Sequence, residues 1–150
     1  MKKTTIRFAQ REDLDELVKL CEEHAIYEKA DYSKINKKEN LSAHLFSQEP
    51  TLYCLVVELN SHLIGYATYM RQFSTWDTNF YVYMDCLFLN NNSRGLGLGV
   101  ELMERIKEES LILGCDLIQW QTPTFNEGAI KFYNRMGAYS KNKERFFLDL

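Results

Sequence analysis

The run Phe80–Leu89, FYVYMDCLFL, is broken in its apolar character only by Asp85, and three glycines follow it within five positions, at 95, 97 and 99. An apolar run of that length reads as a strand deep in a sheet. The segment after the glycines carries Leu102, Met103, Ile106 and Leu113 at helical spacing. A strand, a glycine turn and a helix place free backbone N–H groups at a helix N-terminus, where the dipole favours an anion such as a pyrophosphate. Arg94 adds positive charge there. Glycines allow backbone angles that other residues avoid and let a ligand come close. The same pattern also suits a plain connection packing helix on sheet.

Two common phosphate motifs fail on spacing. A Walker loop needs Lys and then Ser or Thr after its last glycine, where Val100-Glu101 stands. A dinucleotide fingerprint beginning at Gly95 would need glycine where Val100 stands. What remains is Arg-x-x-Gly-x-Gly, from Arg94 through Gly97 to Gly99.

The rest of the chain reads as a mixed α/β domain spanning 1–150. Thr4–Phe8 alternates as a short strand, and Arg11 to about Ala30 repeats Leu14, Leu17, Val18, Cys21 and Ala25 as one amphipathic helix. A second helix runs to about Gln48 before Pro50. Leu52–Leu59 and Leu63–Arg71 read as strands joined by a tight turn at Asn60-Ser61. Phe73–Thr78 follows as a loop. After the long helix, Gly114 serves as a C-cap, and Leu117–Gln121 is the next strand. Thr124-Phe125-Asn126-Glu127 has the form of a capping box, which predicts a helix starting there and ending at Gly137. A last strand is expected at about Tyr139–Leu148.

At 150 residues and a formal charge of −3 the chain is long enough for one core, and no basic stripe points to nucleic acid. Cys21, Cys54, Cys86 and Cys115 are scattered, as are His24, His44 and His62, so no metal site is expected. Without an apolar signal core or a membrane-length run, the expected setting is cytoplasmic, away from membranes.

The Arg94-x-x-Gly97-x-Gly99 pattern resembles the acetyl-coenzyme A signature of the GNAT family of N-acetyltransferases. The family's later Asn-x-x-Ala-x-x-x-Tyr pattern is matched by Asn126, Ala129 and Tyr133, followed by Gly137-Ala138. Within the family the chain is most similar to the diamine (spermidine/spermine) type, through Tyr27-Glu28, Tyr83-Met84-Asp85 and Phe132-Tyr133. The resemblance implies a mostly antiparallel sheet with a splayed central strand and helices on both faces. It implies acetyl-CoA as co-substrate, held by amides of Gly95, Leu96, Gly97, Leu98, Gly99 and Val100, with Asn126 and Ala129 along the pantetheine arm. It also implies a bulge near Leu87, Phe88 and Leu89 that frees backbone N–H groups for the thioester carbonyl. A homodimer follows by the same analogy, with Tyr139, Phe146 and Phe147 open to an interface or to the core.

Acetyl transfer to an amine needs an unprotonated nitrogen, a stabilised oxyanion and a proton for the departing thiolate. Asp85, a lone carboxylate in an apolar run, is the expected proton acceptor if desolvation raises its pKa; a structural or substrate-binding carboxylate is the other reading. Tyr133 is the candidate acid, and its helical spacing equally suits a packed aromatic. For a cationic small-molecule amine, Tyr27, Glu28, Asp77 and Asp85 form the expected acceptor side, although helical glutamates often only face solvent.

Overall fold

The computed structural model describes residues 3–93 and 95–150. Apolar residues occupy both alternation sets of the central strands, so each face of the sheet needs a cover. Five strands, β1 (Thr4–Phe8), β2 (Tyr53–Leu59), β3 (His62–Ser74), β4 (Asn79–Leu89) and β5 (Ile118–Trp120), lie in the order β1-β2-β3-β4-β5. The first four pair antiparallel and β4 pairs β5 parallel. Four helices complete the fold: α1 (Leu14–Tyr27), α2 (Lys37–Leu45), α3 (Leu98–Ile112) and α4 (Glu127–Arg135).

Alternation assigns the faces. Leu55, Val57, Ala67, Tyr69, Val82 and Met84 pack beneath Leu98, Leu102, Met103 and Ile106 of α3, with Phe132 and Met136 at the margin. Cys54, Val56, Leu63 and Tyr66 turn the other way, against Leu14, Leu17 and Leu20 of α1 and Leu45 of α2. Burying each large aliphatic side chain contributes about 1.5–3 kcal/mol, so α3 is held mainly by its inner stripe. The expected helices-on-both-faces architecture is what forms.

Asn60 and Ser61 both have positive φ (50° and 68°), as the two-residue β2–β3 turn requires. At the end of α1, Lys29 takes φ 59° and the Ala30 amide donates to the Ala25 carbonyl (2.9 Å), which stops the helix and leaves Tyr27 and Glu28 at its last turn. The helix is therefore shorter than the sequence spacing predicts.

Two expectations are corrected. Thr124 does not begin a helix: α4 starts at Glu127 with Asn126 as N-cap, and no side-chain cap bond forms. The Asn126 side chain bonds elsewhere, to Tyr27 and Thr122. Residues 138–150 form no strand, and Tyr139, Phe146, Phe147 and Leu148 are exposed. Apolar alternation marks residues able to pair without making them pair, and the outer edge of β5 has no partner among the described residues.

Arg7 ties β1 to the entry of α1. Its guanidinium donates to both Asp13 carboxylate oxygens (2.7 and 2.9 Å) and to Glu58 Oε2 (2.7 Å), and Asp13 also accepts the Gln10 amide (2.7 Å). The Arg7 contact, outweighing burial, holds the Asp13 carboxyl below the usual range. A depressed carboxylate stabilises the fold above its unfolded pKa of about 3.9 and loses that contribution as pH falls through the lower folded value. Urea midpoints at pH 7 and pH 3 should therefore differ more for the native chain than for Asp13→Asn. The variant should already be about 1.5–3 kcal/mol weaker at pH 7.

Candidate functional site

The β3–β4 ladder contains one irregularity. Tyr69 pairs with Met84 and Thr68 with Cys86, so Asp85 is an extra residue with no partner. Beyond it, Ala67↔Leu87, Tyr66↔Phe88 and Gly65↔Leu89 continue in register. The bulge expected near Leu87–Leu89 thus sits at Asp85, and those three residues follow it in regular pairing. The extra residue also lifts Asp85 into the open. Its carboxylate is exposed, so the expected desolvation of a buried acid does not apply.

The bulge changes which edge the amides face. Before it, the Val82 amide donates toward β5, to the Leu117 carbonyl (3.0 Å). After it, the Asn90 amide donates toward β3, to the Ile64 carbonyl (2.9 Å). Alternation then turns the N–H groups of Leu87 and Leu89 toward the β5 side. The β4–β5 ladder ends at Met84↔Trp120, and the chain departs through Gln121, Thr122 and Pro123. Leu87 and Leu89 consequently direct amides into a gap between parted strands.

That gap opens into a cleft of about 1820 Å³ bounded by the end of α1, the second half of β4, the start of α3 and one side of α4. The glycine turn forms its floor. Gly95 and Gly97 have φ of 75° and 67°, and a Cβ on either would meet nothing within 4 Å, so both face open space. The first bond into α3 runs from the Glu101 amide to the Gly97 carbonyl (3.3 Å), leaving the amides of Leu98, Gly99 and Val100 without helical partners. The Leu96 amide is not free in this way, because it donates to the Ser93 carbonyl at 3.4 Å. At Gly99 a Cβ would stand 3.1 Å from the Phe132 ring and 3.6 Å from Leu89, so glycine there lets α3, α4 and β4 converge. Unpartnered amides at a helix start, without side chains over them, fit a diphosphate. Arg94, expected to add charge at this turn, lies outside the described residues.

On the opposite wall, Tyr27 Oη donates to Asn126 Oδ1 (3.1 Å) and Asn126 Nδ2 donates to Thr122 Oγ1 (3.2 Å). This pair joins α1 to the start of α4. Ala129 and Tyr133 continue the same face of α4 into the cleft. The Tyr133 ring meets Trp120 edge-on (centroids 5.1 Å apart), and no described residue bonds its hydroxyl. Burial, then the charge of Glu28, pushes that phenol up to about 12, so it holds its proton at neutral pH.

The family described as Acetyltransferase (GNAT) matches residues 11–138. The chain belongs to the GNAT acetyltransferases. Among similar proteins, the thialysine N-epsilon-acetyltransferase of Mus musculus is 29% identical over 146 residues, covering 92% of this chain and 85% of the relative. The spermidine/spermine N(1)-acetyltransferase-like protein 1 of Homo sapiens is 25% identical, the match covering 93% of this chain and 21% of that protein. An aminoglycoside N-acetyltransferase, AAC(6')-Iy, solved in complex with CoA, shares the fold at a TM-score of 0.79 with 16% identity, over 99% of this chain and 96% of its own. The protein is an N-acetyltransferase.

In this acetyltransferase, Tyr27, Glu28, Tyr83 and Asp85, expected on the acceptor side, all line the cleft. Asp77 does not join them. It sits at the β3–β4 hairpin tip, where its amide and carboxylate both bond Ser74 Oγ (3.2 Å each). The acetyltransferase also places His24 in this wall, a residue that sequence reasoning passed over as one of three dispersed histidines. His24 Nδ1 lies 2.8 Å from Tyr66 Oη, Nε2 lies 3.2 Å from Glu28 Oε1, and the ring stacks on Phe88 with centroids 5.0 Å apart. A signal was present in the sequence. His24 falls on the apolar stripe of α1, after Leu17 and Leu20, with Glu28 one turn on.

Proposed function

We propose that this acetyltransferase carries the acetyl group of acetyl-CoA directly to the primary amine of a small polyamine-like or lysine-like molecule, both substrates being bound together. The observation that supports it most is that one cleft brings two chemistries together. Free amides of the glycine turn and of Leu87 and Leu89 line it with the carboxylates of Glu28 and Asp85, and Lys143 and Arg145 of the C-terminal segment also reach it. Relatives named for thialysine and for spermidine/spermine agree with a cationic acceptor.

The amides of Gly95, Gly97, Leu98, Gly99 and Val100 would hold the diphosphate, and Asn126 and Ala129 would border the pantetheine arm. Acetyl-CoA supplies an acyl carbon on a sulfur leaving group. The Leu87 and Leu89 amides are preorganised donors for the carbonyl oxygen, and removing such a donor in an enzyme typically costs about 10²- to 10³-fold in rate. Tyr133 is the proton donor to the departing sulfur. Glu28 and Asp85 attract the ammonium, and Tyr27 and Tyr83 offer it aromatic faces. Asp85, being exposed, faces the ammonium through solvent as a charge partner rather than as the group that takes its proton.

The reading includes a homodimer, supported by the exposed Tyr139, Phe146 and Phe147 on a segment without a ladder partner. Calorimetry with CoA and a thiol-release assay over diamines, lysine analogues and peptides test the main proposal. Saturable CoA binding, with turnover fastest on small dications, is the expected result. CoA binding without release on any amine, or release only with peptides, would overturn the assignment of a small-molecule acceptor. Light scattering at the mass of one chain would remove the dimer.

A further inference from the structure

A histidine on the apolar stripe of a helix must find polar partners or pay for its burial. His24 finds two on opposite ring nitrogens, Tyr66 Oη from the sheet below and Glu28 Oε1 toward the cleft, and its side chain is only 12% exposed. Resting on the proposed function, we infer that His24 is a proton relay of this site: with the neutral ring in its Nδ1–H form, donating to Tyr66 Oη, Glu28 draws the proton from the bound ammonium, His24 takes it up at Nε2 through the Nε2–Oε1 contact, and it later leaves by the same contact past Glu28 to solvent.

The neighbouring groups leave few others able to pass a proton. Tyr66 from β3 and Cys86 from β4 are pushed up by burial, as is Cys21 on α1, so all three stay neutral near pH 7. Tyr27 on α1 donates to Asn126, and Tyr133 from α4 keeps its proton. The charged groups around it are Glu28 and Glu23 of α1, Asp85 of β4, Lys143 and Arg145 of the C-terminal segment, which line the same cleft, and Lys37 of α2, which acts on Cys21. Among these groups imidazole is the type that exchanges protons near neutrality. Glu28 and Tyr133 line the same cleft, so the relay and the candidate acid open onto one space. Phe88 fixes the ring plane from below.

The protons balance. The ammonium, R–NH3⁺, gives one proton to the Glu28–His24 pair and becomes R–NH2. Its nitrogen lone pair forms the C–N bond to the acyl carbon, and the C–S bond breaks as Tyr133 protonates the sulfur to give CoA–SH. The nitrogen, still carrying one proton too many, returns it to the Tyr133 phenolate, leaving the amide. The imidazolium releases its proton to solvent, the single net proton of the reaction.

His24 acts through Glu28, so the test must separate titration from positioning. His24→Gln keeps an amide able to bond Glu28 but has no proton to exchange. The relay predicts kcat on the best small amine lowered about 10²-fold, with the rise of kcat on the acid side of the profile abolished or displaced, typical of losing a general base. The KM for the amine and the CoA affinity by calorimetry should stay near the native values. His24→Asn, too short to reach Glu28, removes the contact as well as the proton carrier, so its amine KM should rise too, and its acid limb still tests the relay if the first variant does not fold. A native acid limb in either folded variant, or a loss confined to KM, would overturn the relay. No turnover by the native enzyme would sink the proposed function and the relay together, whereas native turnover with an unchanged variant profile would sink the relay alone.

Discussion

Tyr133→Phe should lower kcat by about 10²- to 10⁴-fold, the range for a lost general acid, while CoA binds as before. The ring packs edge-on against Trp120 and lies beside Phe132, contacts that phenylalanine keeps. Only the hydroxyl is removed, and no described residue bonds it. Because burial pushes the phenol up to about 12, its ionisation adds no alkaline limb below that pH. Thiol release with saturating amine, beside calorimetry with CoA, measures both halves. A native kcat in the variant would reduce Tyr133 to packing.

Gly65→Ala should damage both the fold and turnover, although it adds one methyl group to a residue outside the cleft lining. Gly65 pairs with Leu89, and a Cβ there would overlap the Leu89 side chain and stand 2.8 Å from the Phe88 carbonyl oxygen. A flexible side chain can yield, but that oxygen is backbone, so the end of β4 must move. Overpacking of this kind costs about 1–3 kcal/mol. The displaced segment carries the Leu87 and Leu89 amides, proposed to hold the thioester carbonyl, so kcat with acetyl-CoA should fall along with the thermal midpoint. A variant that melts lower yet keeps the native kcat below its melting range would show that those amides do not serve the carbonyl.

The sequence was most legible where one local signal determines the backbone. Asn60-Ser61 between alternating strands predicts the hairpin, and positive φ at both residues is its physical content. The glycines at 95, 97 and 99 predict an open turn before α3, and each has its own reason in the structure, two in backbone angle and one in the approach of Phe132. Thr124 misled because a capping box describes local donors and acceptors, while the Asn126 side chain is claimed by Tyr27, 99 residues away in the chain. Residues 139–148 misled for a related reason: alternation describes a strand's faces, not whether the segment pairs, and the outer edge of β5 stays unpaired among the described residues. Asp85 was legible as unusual but not as exposed, since its exposure comes from the ladder slipping by one residue. His24 was readable only by asking what a polar ring does on an apolar stripe.

That slip also shows how the cleft could be lost. Eleven residues of β4, Asn79–Leu89, run beside ten of β3, Gly65–Ser74. Deleting the codon for Asp85 would leave ten against ten, and the flanking side chains would keep their sides of the sheet. The hydrophobic layers would survive, but β4 would lose the local cause of its divergence from β5. Under the proposed mechanism, shortening this strand by a single position would heal the sheet and close the gap meant for the thioester, at little cost to the core.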